Sequence, residues 1–222
     1  MIKTWDYILF DVIGTTVKDS SNGESIILDC FSKSFNLSGY QISNDLINKQ
    51  RGKIKREAIV NILVSSKYNV DMAEKIYSDF TDLLKKSLSL FKDMNGVSKL
   101  FEKLNDKQIK IGLGSGLPKE YLLEIIKQVG WDYKMFDYIG SSEELGKGRP
   151  DPIMIYDSMN KLNIKDKSKV IKVGDTIADI QEGKNAGVVT ASVLTGTQSK
   201  YELTKHSPDY IFNEVSDLIN IL

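Results

Sequence analysis

Three polar residues stand where apolar runs end. Asp11 follows Tyr7-Ile8-Leu9-Phe10, Ser115 lies between Gly114 and Gly116 after the run from Ile109, and Asp175 follows Val170 to Gly174. The chemistry open to them is bounded by what the chain lacks. Its one cysteine, Cys30, excludes an internal disulfide and a cysteine-cluster metal site. Its one histidine, His206, excludes multi-histidine zinc sites, and excludes Ser-His-Asp catalysis unless that residue serves. An enzyme built on this chain therefore works with carboxylates, lysines and arginines, with or without a metal. Each residue alone also has a plain structural use. Asp11 with Gly14-Thr15 can be a strand-ending turn, Asp175 can cap the next helix, and Ser115 can sit in a tight turn. Their recurrence in order, each at the end of an apolar run, sets them apart.

The elements that must position them follow from pattern. Tyr7-Ile8-Leu9-Phe10 reads as a buried strand. From about Ser25 to Phe91 the chain reads as helices, with an apolar stripe at Met72, Ile76, Tyr77, Phe80, Leu83, Leu84 and Leu88. Ser43-Asn44-Asp45 can cap another helix, interrupted near Arg51-Gly52 and resuming through Ala58, Ile59, Ile62 and Leu63. Beyond Phe91, helix and strand alternate. Val97 to Leu104 is helical, Ile109 to Gly114 a strand, and Pro118 the first residue of a helix running through Tyr121 to Val129. A short strand near Tyr138-Ile139 leads into a loop from Ser141 to Arg149. Pro152 to Leu162 is helical, Val170 to Gly174 a strand, and Thr176 to Ala186 a helix ended by Gly187. Val188 to Leu194 and Tyr210 to Phe212 supply later strands. Alternation of this kind specifies an α/β fold, a Rossmann-like parallel sheet with right-handed crossovers. The helical block is inserted after the first strand, over the sheet edge where such folds bind ligands. There it can act as a lid.

Composition agrees with a packed protein of modest size. The 222 residues (25.0 kDa) suit one domain, or one with a small second module. Thirty basic residues balance thirty acidic ones, so charge gives no reason to expect nucleic acid or an anionic membrane as partner. Apolar residues make up 41% and charged ones 27%, enough for a core and too apolar for disorder. No apolar run approaches the ~18 residues of a membrane span, and the start, Met1 to Asp6, carries no signal-peptide core. A soluble, cytoplasmic protein is expected.

The ordered segments Phe10-Asp11-Val12-Ile13-Gly14-Thr15-Thr16-Val17, Gly114-Ser115-Gly116, Gly148-Arg149-Pro150-Asp151-Pro152 and Val173-Gly174-Asp175-Thr176, with Asp179 and Glu182 to Gly187, resemble the four motifs of the haloacid dehalogenase superfamily. Gly-Thr-Thr-Val after the first aspartate, Gly-Arg-Pro in the third motif and the closing Glu-Gly-Lys-Asn-Ala-Gly are most similar to its phosphonatase branch. The resemblance spans the chain and implies residues 1–17 and 92–222 as an α/β core and 18–91 as a helical cap.

It also implies roles. Asp11 is the expected nucleophile, forming an aspartyl-phosphate. Mg²⁺ is the expected cofactor, held by Asp11, the Ile13 carbonyl and Asp175, with Asp179 behind or through water. The Ser115 hydroxyl and the Gly116 N–H are expected to bind phosphoryl oxygens. Arg149 is expected to supply positive charge with a bidentate fork, and Lys147 is an outside candidate for the same charge. The expected substrate is a small phosphorylated or phosphonate metabolite.

Departures from the family pattern matter as much. Phosphatases of the superfamily carry a second aspartate, the general acid, where this chain has Ile13. Phosphonatases have alanine there and a Schiff-base lysine in the cap, whose place Lys55 takes. Phosphonoacetaldehyde hydrolases would further have histidine at Ala58, methionine at Arg51 and tyrosine at Leu117. Lys49, Arg51, Lys53, Lys55 and Arg56 also form a charge run, which can be a solvated face. The sequence thus favours a phosphatase of a small monoester, with Arg51, Lys53 and Lys55 binding an anionic tail. A phosphonate P–C hydrolase using Lys55 comes second, and a non-catalytic phosphometabolite-binding protein third. Cys30, Trp5 and Trp131 read as packing residues, and His206 as a surface loop residue.

Overall fold

The computed structural model describes residues 5–21 and 23–222; the expectations placed on residues 1–4 and 22 lie outside them. Five buried residues form the first strand, β1 (Tyr7–Asp11), and the chain turns through Gly14-Thr15-Thr16 into the two-residue strand β2 (Val17–Lys18). Four helices come next: α1 (Ile26–Leu37), α2 (Asn44–Asn48), α3 (Lys55–Ser65) and α4 (Ala73–Ser87). The chain returns through β3 (Lys92–Asp93), which pairs antiparallel with β2, so both connections to the helical block run side by side.

The remainder alternates α5 (Val97–Asp106), β4 (Lys110–Ser115), α6 (Lys119–Gln128), β5 (Tyr138–Ser141), α7 (Ser142–Leu145), α8 (Ile153–Lys161), β6 (Val170–Gly174), α9 (Ile177–Ala186), β7 (Val189–Val193), α10 (Lys200–Thr204) and β8 (Tyr210–Phe212). Six strands form one parallel sheet in the order β5-β4-β1-β6-β7-β8. This is the α/β fold that the alternation specifies. The central strands are apolar along their length because helices cover both faces. On one face Phe101 of α5 meets Phe10, Trp131 and Phe136 edge-on, with ring centroids 5.2 to 5.5 Å apart. On the other, Tyr7 and Leu9 pack with Met154, Ile155 and Ala186.

The helices of the insert pack on one another in an apolar cluster continuous with one face of the sheet. Ser25 caps α1 by accepting from the Leu28 N–H, and Ser43 caps α2 through the Leu46 N–H. Phe31 of α1 meets Phe80 of α4 at 4.7 Å between rings, and Ile59, Ile62 and Leu63 of α3 close the bundle. Cys30 is buried in this packing.

Local details differ from expectation. Pro118 is the extended cap residue before α6 and not its first helical residue. The stretch Ser141 to Arg149 contains a helical turn, α7, because the Ser141 hydroxyl accepts from the Glu143 N–H. The apolar stripe from Met72 to Leu88 lies on α4 and on the 3₁₀ turns that flank it, Val70–Met72 and Leu88–Leu90.

Candidate active site

Parallel pairing brings the C-terminal ends of three strands together. Asp11 on β1 is in register with Gly114 on β4, and Phe10 with Val173 on β6, so Asp11, Ser115 and Asp175 emerge on one edge. The helical insert sits over that edge. Between them lies a cavity of about 30 Å³ lined from below by Asp11, Ile13, Ser115, Gly116, Arg149 and Asp175, and from above by Ile27, Arg51, Gly52 and Lys55. Residues from 11 to 175 thus converge on a space with room for only a water or two.

The insert rests directly on the sheet edge at two glycines. Gly52 has φ +80°, and a Cβ there would lie 3.0 Å from the Ala178 Cβ and the Thr176 Oγ1. A Cβ on Gly116 would lie 2.6 Å from the Lys53 carbonyl oxygen. Any larger residue at either position would lift the insert off the site.

Below the cavity the charged side chains form a dry network. Arg149 Nη1 donates to Asp11 Oδ1 at 2.6 Å, Nη2 to the Gly114 carbonyl at 2.9 Å, and Nε to Glu182 Oε2 at 3.0 Å. Its Nε also lies 3.3 Å from Asp179 Oδ1. The Lys172 ammonium is 2.9 Å from Asp179 Oδ1 and 3.3 Å from Glu182 Oε2, as ionic contacts and not aligned hydrogen bonds. Burial alone would lower the Arg149 pKa, but Asp179, Asp11 and Glu182 hold it well above the usual arginine range. Burial would raise Asp179, yet Arg149, Lys172 and the Thr176 hydroxyl outweigh it and keep that carboxyl below the usual range. For Asp11 burial wins over Arg149, and its carboxyl is raised.

Asp175 differs from its neighbours. Its Oδ1 accepts from the Thr15 hydroxyl at 2.9 Å, while Oδ2 is buried and accepts no hydrogen bond among the described residues. Burial first, then the charges of Asp11 and Asp179, push this carboxyl well above the ordinary range. Gly14 leaves room beside Oδ2, since a Cβ there would lie 2.6 Å from it. Oxygens of Asp11, Asp175 and Asp179 fall within 4.8 Å of one another. An orphaned carboxylate oxygen in an all-oxygen cluster fits a hard divalent cation. Asp179 is the weakest of the three as a direct ligand. Its Oδ2 takes the Thr176 N–H and hydroxyl in the capping box of α9, and its Oδ1 faces Lys172.

Of the remaining expected site residues, Ser115 is buried, and its hydroxyl accepts from the Leu117 N–H at 3.1 Å. Lys55 opens α3 and is buried in the cavity roof, its amine 3.4 Å from the Lys53 carbonyl. Desolvation, followed by the positive charge of Arg51, lowers its pKa to about 8. Arg51 lines the cavity, but its fork is held within the insert by Asp19 at 2.6 Å and Ser25 at 2.8 Å. Lys53 does not reach the cavity. Its carbonyl packs on Gly116, so its side chain turns outward and donates to Gln50 Oε1 at 3.1 Å, beside a neighbouring groove. Lys147 is exposed and paired with Asp151.

Sequence reading gives Lys172 and Glu182 no role, although both are buried against Arg149 and Asp179. Two signals were present. A lysine interrupts the apolar run of β6, and Glu182 lies three residues after Asp179, on the same face of α9.

Relatives point the same way as the geometry. The chain is 28% identical over 204 residues to a phosphonoacetaldehyde hydrolase of Bacillus cereus, covering 86% of this chain and 76% of that protein. It is 30% identical over 251 aligned residues to a phosphonoacetaldehyde hydrolase of Latilactobacillus sakei, covering 97% and 94%. Its fold matches a phosphonoacetaldehyde hydrolase like protein from Oleispira antarctica at a TM-score of 0.86 and 20% identity, over 99% and 92% of the two chains. The family model of haloacid dehalogenase-like hydrolases matches residues 8–193, which include Asp11, Ser115, Arg149 and Asp175. With that span matched and the fold in agreement, the chain belongs to the haloacid dehalogenase-like hydrolases and is an enzyme of that family.

Proposed function

We propose that the protein hydrolyses the P–C bond of a small phosphonate bearing a carbonyl on the neighbouring carbon, with phosphonoacetaldehyde the substrate to test first. The observation that carries this reading is Lys55. It is buried above Asp11 in the same cavity, has no carboxylate partner among the described residues, and is lowered to about 8, so a minor fraction, about a tenth, is the neutral amine at pH 7. The names of the curated relatives support it as well. A monoesterase, which the sequence alone favours, would need a proton donor for its leaving alcohol where Ile13 stands.

The neutral Lys55 amine adds to the substrate carbonyl, a proton is taken up from solvent, and water leaves, giving a protonated imine. An Asp11 carboxylate oxygen attacks phosphorus, and the P–C bonding pair moves into the carbon skeleton, neutralising the iminium as an enamine. Protonation of that carbon and addition of water release the aldehyde and restore Lys55. A second water cleaves the aspartyl-phosphate to Asp11 and inorganic phosphate. Arg149 and Ser115 bind the phosphoryl oxygens during transfer. Mg²⁺ held by Asp11 and Asp175, with the Ile13 carbonyl and Asp179 close by, would offset the repulsion between carboxylate and phosphoryl group. A cavity of about 30 Å³ is too small for this substrate, which supports residues 18–91 acting as a cap that opens to admit it.

Borohydride trapping tests the reading. Incubation with phosphonoacetaldehyde and borohydride should add a reduced adduct at Lys55 alone, and Lys55→Arg should lose turnover although its charge remains. Turnover of phosphonoacetaldehyde without an adduct, or an Lys55→Arg variant that keeps its rate, overturns it. Rapid hydrolysis of alkyl phosphates with phosphonoacetaldehyde untouched would establish the monoesterase instead.

A further inference from the structure

The buried pair Lys172 and Glu182 is not accounted for by the chemistry above, and neither side chain lines the cavity. Both are almost fully withdrawn from water, with side chains 1% exposed. Charges held there without function would be replaced by apolar residues at little cost to stability. Their contacts define what they touch. Glu182 Oε2 takes the Arg149 Nε at 3.0 Å, and Lys172 bridges Glu182 and Asp179 at 3.3 and 2.9 Å.

We infer that Lys172 is a positioning residue that sets the aim of the Arg149 guanidinium by neutralising the two carboxylates behind it. Arg149 Nε has two carboxylate oxygens within reach, Glu182 at 3.0 Å and Asp179 at 3.3 Å, while its Nη1 must reach forward to Asp11. With Lys172 present, the pair of anions behind carries one compensating charge, and the guanidinium can extend to Asp11. With Lys172 removed, two uncompensated anions compete with Asp11 for one cation in a dry environment, where Coulomb attraction is strong. The guanidinium is then drawn back toward α9, and the phosphoryl group loses its fork. Glu182 has the complementary part: as an acceptor for Nε it fixes the plane of the guanidinium. A neutral acceptor of the same shape keeps that contact.

The inference rests on Asp11 and Arg149 forming the phosphoryl site, so its test uses phosphate and does not depend on the identity of the substrate. Inorganic phosphate binding is measured by calorimetry in saturating Mg²⁺, on protein shown to be folded by circular dichroism and its melting temperature. Lys172→Met is expected to weaken phosphate at least tenfold. Glu182→Gln, which keeps the acceptor for Nε, is expected to weaken it less than threefold. The double variant Lys172→Met/Glu182→Gln removes one charge of each sign and is expected to recover to within threefold of the parent. That reversal is what a merely structural pair would not produce. The double variant also covers the case in which Lys172→Met alone fails to fold. Arg149→Lys, which loses the fork, is the control and should weaken phosphate tenfold or more. An unchanged affinity in Arg149→Lys overturns the phosphoryl-site reading and the inference with it. A weakened Arg149→Lys together with parental affinity in Lys172→Met overturns the inference alone. So does a double variant that binds tenfold or more weakly than the parent.

Discussion

On and beneath the floor of the cavity Arg149 and Lys172 each have two or more carboxylates within 3.3 Å, whereas Lys55 in the roof has, among the described residues, only the Lys53 carbonyl as its hydrogen-bond acceptor, at 3.4 Å. Both regions are dry, so the difference is one of partners and not of burial. On the floor, opposite charges hold Arg149 ionised and fix its geometry. In the roof, burial and then the like charge of Arg51 outweigh the weaker pull of Asp11 and Asp19, which loosens the Lys55 proton. A dry site can therefore hold one cation fixed and leave another on the same cavity easier to deprotonate, by the charges placed around each.

The largest expected break in this comparison is at Asp11. Asp11→Asn removes the nucleophile and one anion facing Arg149, and turnover should fall by at least ~10³-fold with the fold retained. Phosphate release measured on the purified variant checks it, and an undiminished rate would remove Asp11 from the mechanism.

A smaller effect separates the roof from the floor by stability. Lys55 has an ordinary value of 10.5 when unfolded and about 8 in the fold. At pH 7 it is protonated in both states, and the fold carries a cost of about 3 kcal/mol for that proton. Lys55→Met should thus be more stable than the parent at pH 7 by up to about 3 kcal/mol. Between pH 8 and 10.5 the unfolded chain binds the extra proton, so the parent gains stability as pH rises and the gap closes. Urea unfolding at pH 7 and pH 10 measures it. A parent more stable than the variant at pH 7 would show that Lys55 is not strained.

The smallest effect sharpens the roof itself. Asp19 pairs with Arg51 and also holds the Lys55 proton on slightly. Asp19→Asn should leave Arg51 unneutralised and move the midpoint of Lys55 acetylation by acetic anhydride to a lower pH. A midpoint that rises would contradict the assigned balance of charges.

Much of this was legible before any coordinates. The apolar runs ending in Asp11, Ser115 and Asp175 mark strand ends because a run buried on both faces must stop where the chain meets water. Parallel alternation then places those ends on one edge, and the four-motif resemblance names the chemistry. The five basic residues around Arg51 were legible as a run but not as directions. Lys53 and Lys55 are two apart, yet one faces a groove and the other the cavity, because the Lys53 carbonyl is pressed onto Gly116 where α3 begins.

What the sequence by itself determined is local or periodic: element type, strand ends and the inserted helical block, with Asp11 as the carboxylate that the resemblance puts forward for attack. Charge state and aim belong to the tertiary structure. Whether Lys55 keeps its proton depends on burial and on Arg51 beside it. Whether Asp179 has an oxygen to spare for a metal depends on Thr176 and Lys172. Where Arg149 points depends on Glu182, 33 residues away, and on Asp11, 138 away. The physical reason is that electrostatic energy in a dry interior varies steeply with distance and partner. Those distances exist only once β1, β4, β6 and α9 have packed.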